Sequence, residues 1–161
     1  MMEEHKSGRE VPKLLADGTL GKLARWLRVL GYDTRYVQGD VARVAYEARK
    51  DGRILLTQDR ALTRRRGLVV VLVTAESLEE QLTQIVAVVG PMPEGTLPRC
   101  MDCNERLQQV PVKVAQAHVP AYIARTHKVF HRCPECGKIY WRGSHWKDIE
   151  GLIDQALARS E

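Results

Sequence analysis

The stretch Arg53-Ile54-Leu55-Leu56-Thr57-Gln58-Asp59-Arg60 reads as a short buried strand, Arg53 to Thr57, running into a polar loop that carries an acid. An apolar run this short, opened by the Asp51-Gly52 turn, has the length and bounds of a strand rather than a helix. The same pattern of strand followed by aspartate occurs twice upstream. Val11 to Ala16 ends at Asp17-Gly18, and Tyr32 to Val37 ends just before Gly39-Asp40. Amphipathic segments separate the three. Leu20, Leu23, Ala24, Leu27 and Leu30 form one apolar stripe, with Lys22, Arg25 and Arg28 mainly off it and Gly31 as the stop. Asp40 is placed to cap a second helix that reaches about Lys50. Leu68 to Val73 is a fourth strand, whose unbroken apolar run suits burial on both faces, and Ser77 to Val89 is a closing helix. The alternation predicts an α/β domain over residues 11–90, with a mostly parallel sheet of about four strands flanked by helices.

Pro91, Pro93, Gly95 and Pro98 mark residues 91–98 as a linker, since proline removes backbone donors and glycine resists regular structure. Residues 99–161 follow as a second small unit, ending in a helical tail from Lys147 to Arg159. Its signature is two Cys-x-x-Cys turns, Cys100/Cys103 and Cys133/Cys136. Each turn aims two thiolates at one point, and two turns complete the tetrahedral shell that zinc prefers. Four thiolates leave no open position, so the predicted ion is structural. The 29 residues between Cys103 and Cys133 exceed the spacing of compact ribbons and predict a hairpin or an ordered loop from Asn104 to Arg132.

In an open parallel sheet, ligand sites gather outside the carboxyl ends of the strands. Asp17, Asp40 and Asp59 each fall just after a predicted strand, and carboxylates gathered there repel one another unless a cation such as Mg²⁺ or Mn²⁺ neutralises them. An ion so held polarises a phosphodiester and acidifies a bound water, which is nuclease chemistry without a protein nucleophile. Each aspartate also has an ordinary structural reading: Asp17 before a turn glycine, Asp40 and Asp59 as helix caps.

The net charge is +5, and the segment from Arg99 to Lys147 holds nine Lys and Arg against three Asp and Glu, so the basic excess lies in the cysteine unit. A polyanionic partner fits this distribution. Arg60 and Arg64 beside Asp59, with Arg25 and Arg28 on the first helix, are candidate phosphate contacts. Tyr140-Trp141-Arg142-Gly143-Ser144-His145-Trp146 mixes rings with cations. Tyr140 and Trp141 are expected to pack over the cysteines, while His145 and Trp146 are expected to be exposed for unpaired bases. No apolar run is long enough for a membrane span, and the first residues lack a signal-peptide pattern, so a cytoplasmic location is expected.

Leu15-Ala16-Asp17, Lys22 to Thr34, Arg53 to Leu62, and the pair Arg99-Cys100-x-x-Cys103-Asn104 and Cys133-x-x-Cys136-Gly137-Lys138-Ile139-Tyr140-Trp141 together closely resemble the Mut-seven C-terminal RNase domain, a PIN-like family. The resemblance covers nearly the whole chain after residue 11. It implies a PIN-like, Rossmann-like sheet fused to a zinc ribbon, and a metal-dependent endoribonuclease using one or two Mg²⁺ or Mn²⁺ ions; with the basic, ring-bearing ribbon, the expected partner is single-stranded RNA. Asp17 then matches the acid after the first strand. Asp59 matches the acid of a Thr-x-Asp motif, whose Thr57 steadies the carboxylate, and Asp40 matches the acid of the second helix. The fourth acid common in PIN enzymes is replaced by Thr74 and then Glu76, a departure that favours one firmly held ion. The alternative reading is a nucleic-acid-binding or adaptor module without catalysis.

Overall fold

A computed structural model describes residues 10–159, apart from the side chains of residues 145, 156 and 159. The first part of the chain forms β1 (Leu14–Asp17), α1 (Gly21–Val29), β2 (Thr34–Val37), α2 (Val41–Lys50), β3 (Ile54–Thr57), the single turn α3 (Arg60–Thr63), β4 (Val70–Leu72) and α4 (Leu78–Val89). The four strands make one parallel sheet in the order β2-β1-β3-β4, with Leu14 opposite Thr34 on one side and Ile54 on the other. This is the expected α/β architecture.

Side chains alternate across the sheet because successive Cβ atoms point to opposite faces. Leu14, Ala16 and Leu56 therefore join Leu23 and Leu27 of α1 and Leu82, Ile85 and Val86 of α4 in one core layer. Leu15, Leu55 and Val37 join Val44, Ala45 and Ala48 of α2 and Leu62 of α3 in the other. Every residue of the central strand β1 is buried. Each fully buried leucine or isoleucine contributes about 1.5–3 kcal/mol relative to exposure.

The expectation for the fourth strand is corrected. Burial on both faces requires a neighbour on each side and helices above and below. β4 is an edge strand instead, its three residues only partly buried and Val69 66% exposed before it. An apolar run gives composition but not lateral position.

The cysteine unit contains β5 (Gln108–Val110), the short helices α5 (Val112–Ala115) and α6 (Ala121–Thr126), β6 (Phe130–Arg132) and β7 (Ile139–Tyr140), with the strands antiparallel in the order β5-β6-β7. The long insert is thus two paired strands with a two-helix excursion between them, which closes a small core of Ala115, Ile123, Phe130 and Ile139. The last helix, α7 (Ser144–Arg159), starts three residues before its expected start and packs against α4. Its Ile149 and Ile153 are buried in the same layer as Leu14 and Leu82. The chain therefore returns to the first sheet domain after the cysteine unit. Among the described residues, no helix is long and apolar enough to cross a membrane.

Candidate active site and cysteine cluster

Strand order decides which acids meet. From β1 the chain passes to β2 on one side, and the next strand, β3, lies on the other, so the carboxyl ends of β1 and β3 flank the switch point where such sheets open a crevice. Asp17 ends β1 and Asp59 follows β3. Both line a cleft of about 140 Å³ together with Gly18, Thr19, Gly39, Val41, Val44 and Leu62. Pockets that enclose whole ligands measure about 300–1,000 Å³, so this cleft suits an ion or a phosphate oxygen, with the rest of a polyanion outside.

Asp17 is only 5% exposed and its carboxylate is firmly held. Oδ1 accepts from the Thr19 amide at 3.0 Å and the Thr19 hydroxyl at 2.5 Å, and Oδ2 accepts from the Thr57 hydroxyl. The Thr57 oxygen in turn accepts the Asp59 N–H at 2.9 Å. The buried Thr57 hydroxyl thus ties the two acid-bearing loops together. Asp59 itself is exposed and caps α3 through the Ala61 N–H at 2.9 Å. Asp40 caps α2 through the Arg43 N–H at 2.8 Å and does not itself line the cleft, although its neighbours Gly39 and Val41 do. Structural and site readings therefore coexist in Asp59, whereas Asp40 shows the cap alone. Thr19 was not singled out from sequence, although Asp-Gly-Thr carries the signal of an aspartate bonding backbone two residues on.

Arg60 and Arg64 are exposed on and just after α3, beside Asp59. Arg25 is exposed and pairs with Asp102 of the cysteine unit at 3.2 Å. Arg28 is corrected: its guanidinium donates to the carbonyls of Thr34 at 2.8 Å and Met101 at 2.5 Å, so it fastens the two units rather than facing phosphate. Trp146 is corrected too. It sits in the first turns of α7, 7% exposed, with Nε1 donating to Glu150 at 2.9 Å, so its ring is not open to bases. The expected helix begins at Lys147, whereas α7 begins at Ser144 and carries Trp146 in its first turn. The His145 side chain lies outside the described residues.

The four cysteines form the one group, among the described residues, of three or more potential metal-ligating side chains whose ligand atoms all lie within 4.8 Å of one another. Cys100 Sγ and Cys136 Sγ are 3.7 Å apart. Zinc–sulfur bonds of about 2.3 Å in a tetrahedron place sulfurs about 3.8 Å apart, so the cluster could hold one structural zinc ion. Asn104 and Gly137, each directly after the second cysteine of its turn, have φ of 62° and 78° and close the two turns alike. Tyr140 packs against the cluster as expected, its hydroxyl 3.2 Å from Cys100 Sγ and accepting the Met101 N–H at 3.0 Å. Burial pushes the Cys103 thiol up to about 12, and its neighbouring sulfurs add to the shift. Crowded thiolates of this kind are relieved by a cation.

Asn104 also anchors the first cysteine turn to the sheet domain. Its Nδ2 donates to Asp33 Oδ1 at 2.7 Å, and its Oδ1 accepts the Thr34 N–H at 3.1 Å. Arg53 Nη1 meets the same Asp33 oxygen at 2.8 Å. Burial raises the Asp33 pKa, but the hydrogen bonds from Arg53 and Asn104 outweigh it and leave the carboxyl below its ordinary 3.8. A depressed folded pKa means that the stabilisation is complete above the unfolded value and lost as pH falls through the folded one. Asp33→Asn is therefore expected to melt below wild type at neutral pH, with the gap closing below about pH 4. A gap unchanged from pH 7 to pH 3 in thermal melts would count against the Asp33 contacts.

Acids at the switch point of a parallel α/β domain, with a four-cysteine unit docked on it, define the class of the protein. The chain belongs to the Mut7-C RNAse domain family, whose model matches residues 12–153. That membership suggests a nuclease-like function and implies RNA as the substrate, in agreement with the sequence resemblance. No curated protein and no solved structure matches the chain.

Proposed function

We propose that the protein is a metal-dependent endoribonuclease that hydrolyses phosphodiesters of single-stranded RNA at the cleft between Asp17 and Asp59. The observation that carries this reading is that the Thr57 hydroxyl ties the Asp17 carboxylate to the backbone of the Asp59 loop, so that acids from two adjacent strands line one cleft. The donor set suits a hard cation: Asp17 retains one of about four lone-pair sites after three hydrogen bonds, Asp59 has Oδ2 available, and the other ligands are water. Asp40 is offered as an outer ligand acting through water. Bound there, Mg²⁺ or Mn²⁺ supplies a Lewis acid and an acidified water. The chain fixes the Asp17 carboxylate through Thr19 and Thr57, and Arg60 and Arg64 draw the phosphate backbone toward the mouth. The cysteine unit, holding one zinc ion, contributes basic surface and stability. A cytoplasmic setting agrees with the four reduced thiols.

Labelled single-stranded RNA incubated with the zinc-loaded protein is expected to be cut only when Mg²⁺ or Mn²⁺ is added. Asp59→Asn is expected to slow cutting at least about tenfold at saturating metal, and to raise the metal concentration needed. Cleavage without added divalent ion, or equal metal dependence in the variant, would reject the site. The second reading, binding without cleavage, is favoured by the three donors already satisfied by Asp17. It predicts salt-sensitive RNA binding and no metal-dependent product.

A further inference from the structure

Tyr36 is an exposed aromatic residue, 36% accessible, on the edge strand β2. Its ring lies against Gly21 at the start of α1, where an added Cβ would stand 3.3 Å from the ring carbon bearing the hydroxyl. The missing side chain at position 21 is what lets the ring lie so close to the helix. The phenol is fixed at its far end: it donates to the Gly18 carbonyl at 3.1 Å and accepts from Gln38 Nε2 at 2.8 Å. Gly18 lines the acid cleft directly after Asp17. A flat ring is thus oriented one residue from the candidate reacting centre, with part of its surface open to solvent.

An exposed ring held at both ends costs little further entropy on binding a flat partner, and every nucleobase offers a π-face. Cations flank it. Lys22 follows Gly21 on α1 and is exposed, and the Arg43 side chain lies across Gly39, another wall residue of the cleft. Among the described residues neither the Lys22 ammonium nor the Arg43 guanidinium forms an ion pair. Ring and cations beside two acids that would hold a divalent ion favour a nucleotide whose base stacks while its phosphate reaches that ion.

Resting on the nuclease reading above, we infer that Tyr36 is a stacking platform for one unpaired base of the RNA next to the phosphate held at Asp17 and Asp59. A duplex keeps its bases stacked on each other and cannot use the ring, so the platform gives the site its preference for single strands.

The test uses the full zinc-loaded chain with Ca²⁺ added in place of Mg²⁺ or Mn²⁺ as an oxygen-seeking ion for the cleft, and single-stranded oligoribonucleotides carrying 2-aminopurine at successive positions. One position is expected to be quenched beyond the free oligonucleotide on binding wild type. Tyr36→Phe keeps the ring and is expected to retain quenching and affinity. Tyr36→Leu and Tyr36→Ala are expected to abolish the quenching and weaken binding about tenfold, the order found for base–aromatic stacking. Zinc content and melting temperature show whether each variant is folded, and the leucine variant keeps an apolar cover over Gly21 should alanine not fold. The platform is overturned if no position is quenched, if Tyr36→Leu binds like wild type, or if Tyr36→Phe loses as much as leucine. The last result would make the phenol a brace for the Asp17 loop. Failure here is separable from failure of the nuclease reading: unchanged binding by Tyr36→Leu beside lost cleavage in Asp59→Asn removes the platform alone.

Discussion

Asp17→Asn is expected to lower metal-dependent RNA cleavage by about two to three orders of magnitude, the size of effect seen when one preorganised electrostatic contact is removed from a transition state. Asparagine matches the shape of aspartate but removes its charge from the cleft. The site is buried, 5% exposed, so no solvent-facing side chain can move in to replace it. The fold should survive. The amide oxygen can still accept from Thr19, and the Thr57 hydroxyl can turn to accept from the new amide, leaving a stability cost of about 1 kcal/mol. Single-turnover cleavage, with a denaturant melt of the same preparation, measures both. Wild-type cleavage by the variant would place the activity elsewhere, including in a contaminating nuclease. A large loss of stability instead would make Asp17 chiefly a structural tie between β1 and β3.

Stripping zinc, or replacing Cys133 by serine, is expected to unfold the cysteine unit and lower the melting temperature of the whole chain by about 10 °C or more. The unit's strands have three, three and two residues. Its two small cores cannot offset the entropy of ordering it, whereas structural zinc in comparable small domains supplies about 10–16 kcal/mol. The effect should spread because the first cysteine turn is bolted to the sheet domain. The Arg99 N–H donates to the Arg28 carbonyl at 2.8 Å, Arg28 reaches Met101, and Asn104 reaches Asp33 and Thr34. Elemental analysis should find one zinc per chain, and re-adding zinc should restore the melt of the stripped protein. Zinc-free protein with an unchanged melt would refute the assignment.

Local pattern was enough to read the sheet domain from the sequence. Strands of four residues ending in Asp17 or leading to Asp59, and helices with one apolar stripe, follow from side-chain periods that neighbouring residues alone impose. The cysteine cluster was legible for a similar reason, since Cys-x-x-Cys places two sulfurs together through one turn and only the pairing of two turns depends on the fold. Tyr36 gave no local signal. An aromatic residue in a strand is ordinarily core, and only the edge position of β2 leaves this one exposed.

Residues distant in sequence decided the rest. Asp17, Asp40 and Asp59 are equivalent in the sequence pattern, each an acid after a strand. The order β2-β1-β3-β4 sets β1 between β2 and β3, so that Asp17 and Asp59 share a cleft, whereas Asp40, between the wall residues Gly39 and Val41, is engaged as the cap of α2. Arg28 and Trp146 likewise look available in the sequence and are occupied in the fold, one by carbonyls of two units and the other by a helix face. The sequence by itself determined which elements form, that four cysteines gather, and which acids follow strands, because short-range sterics and periodicity dictate these. Only the tertiary structure decided which acids meet and which cations stay free, because lateral strand order and domain docking depend on contacts between residues tens of positions apart.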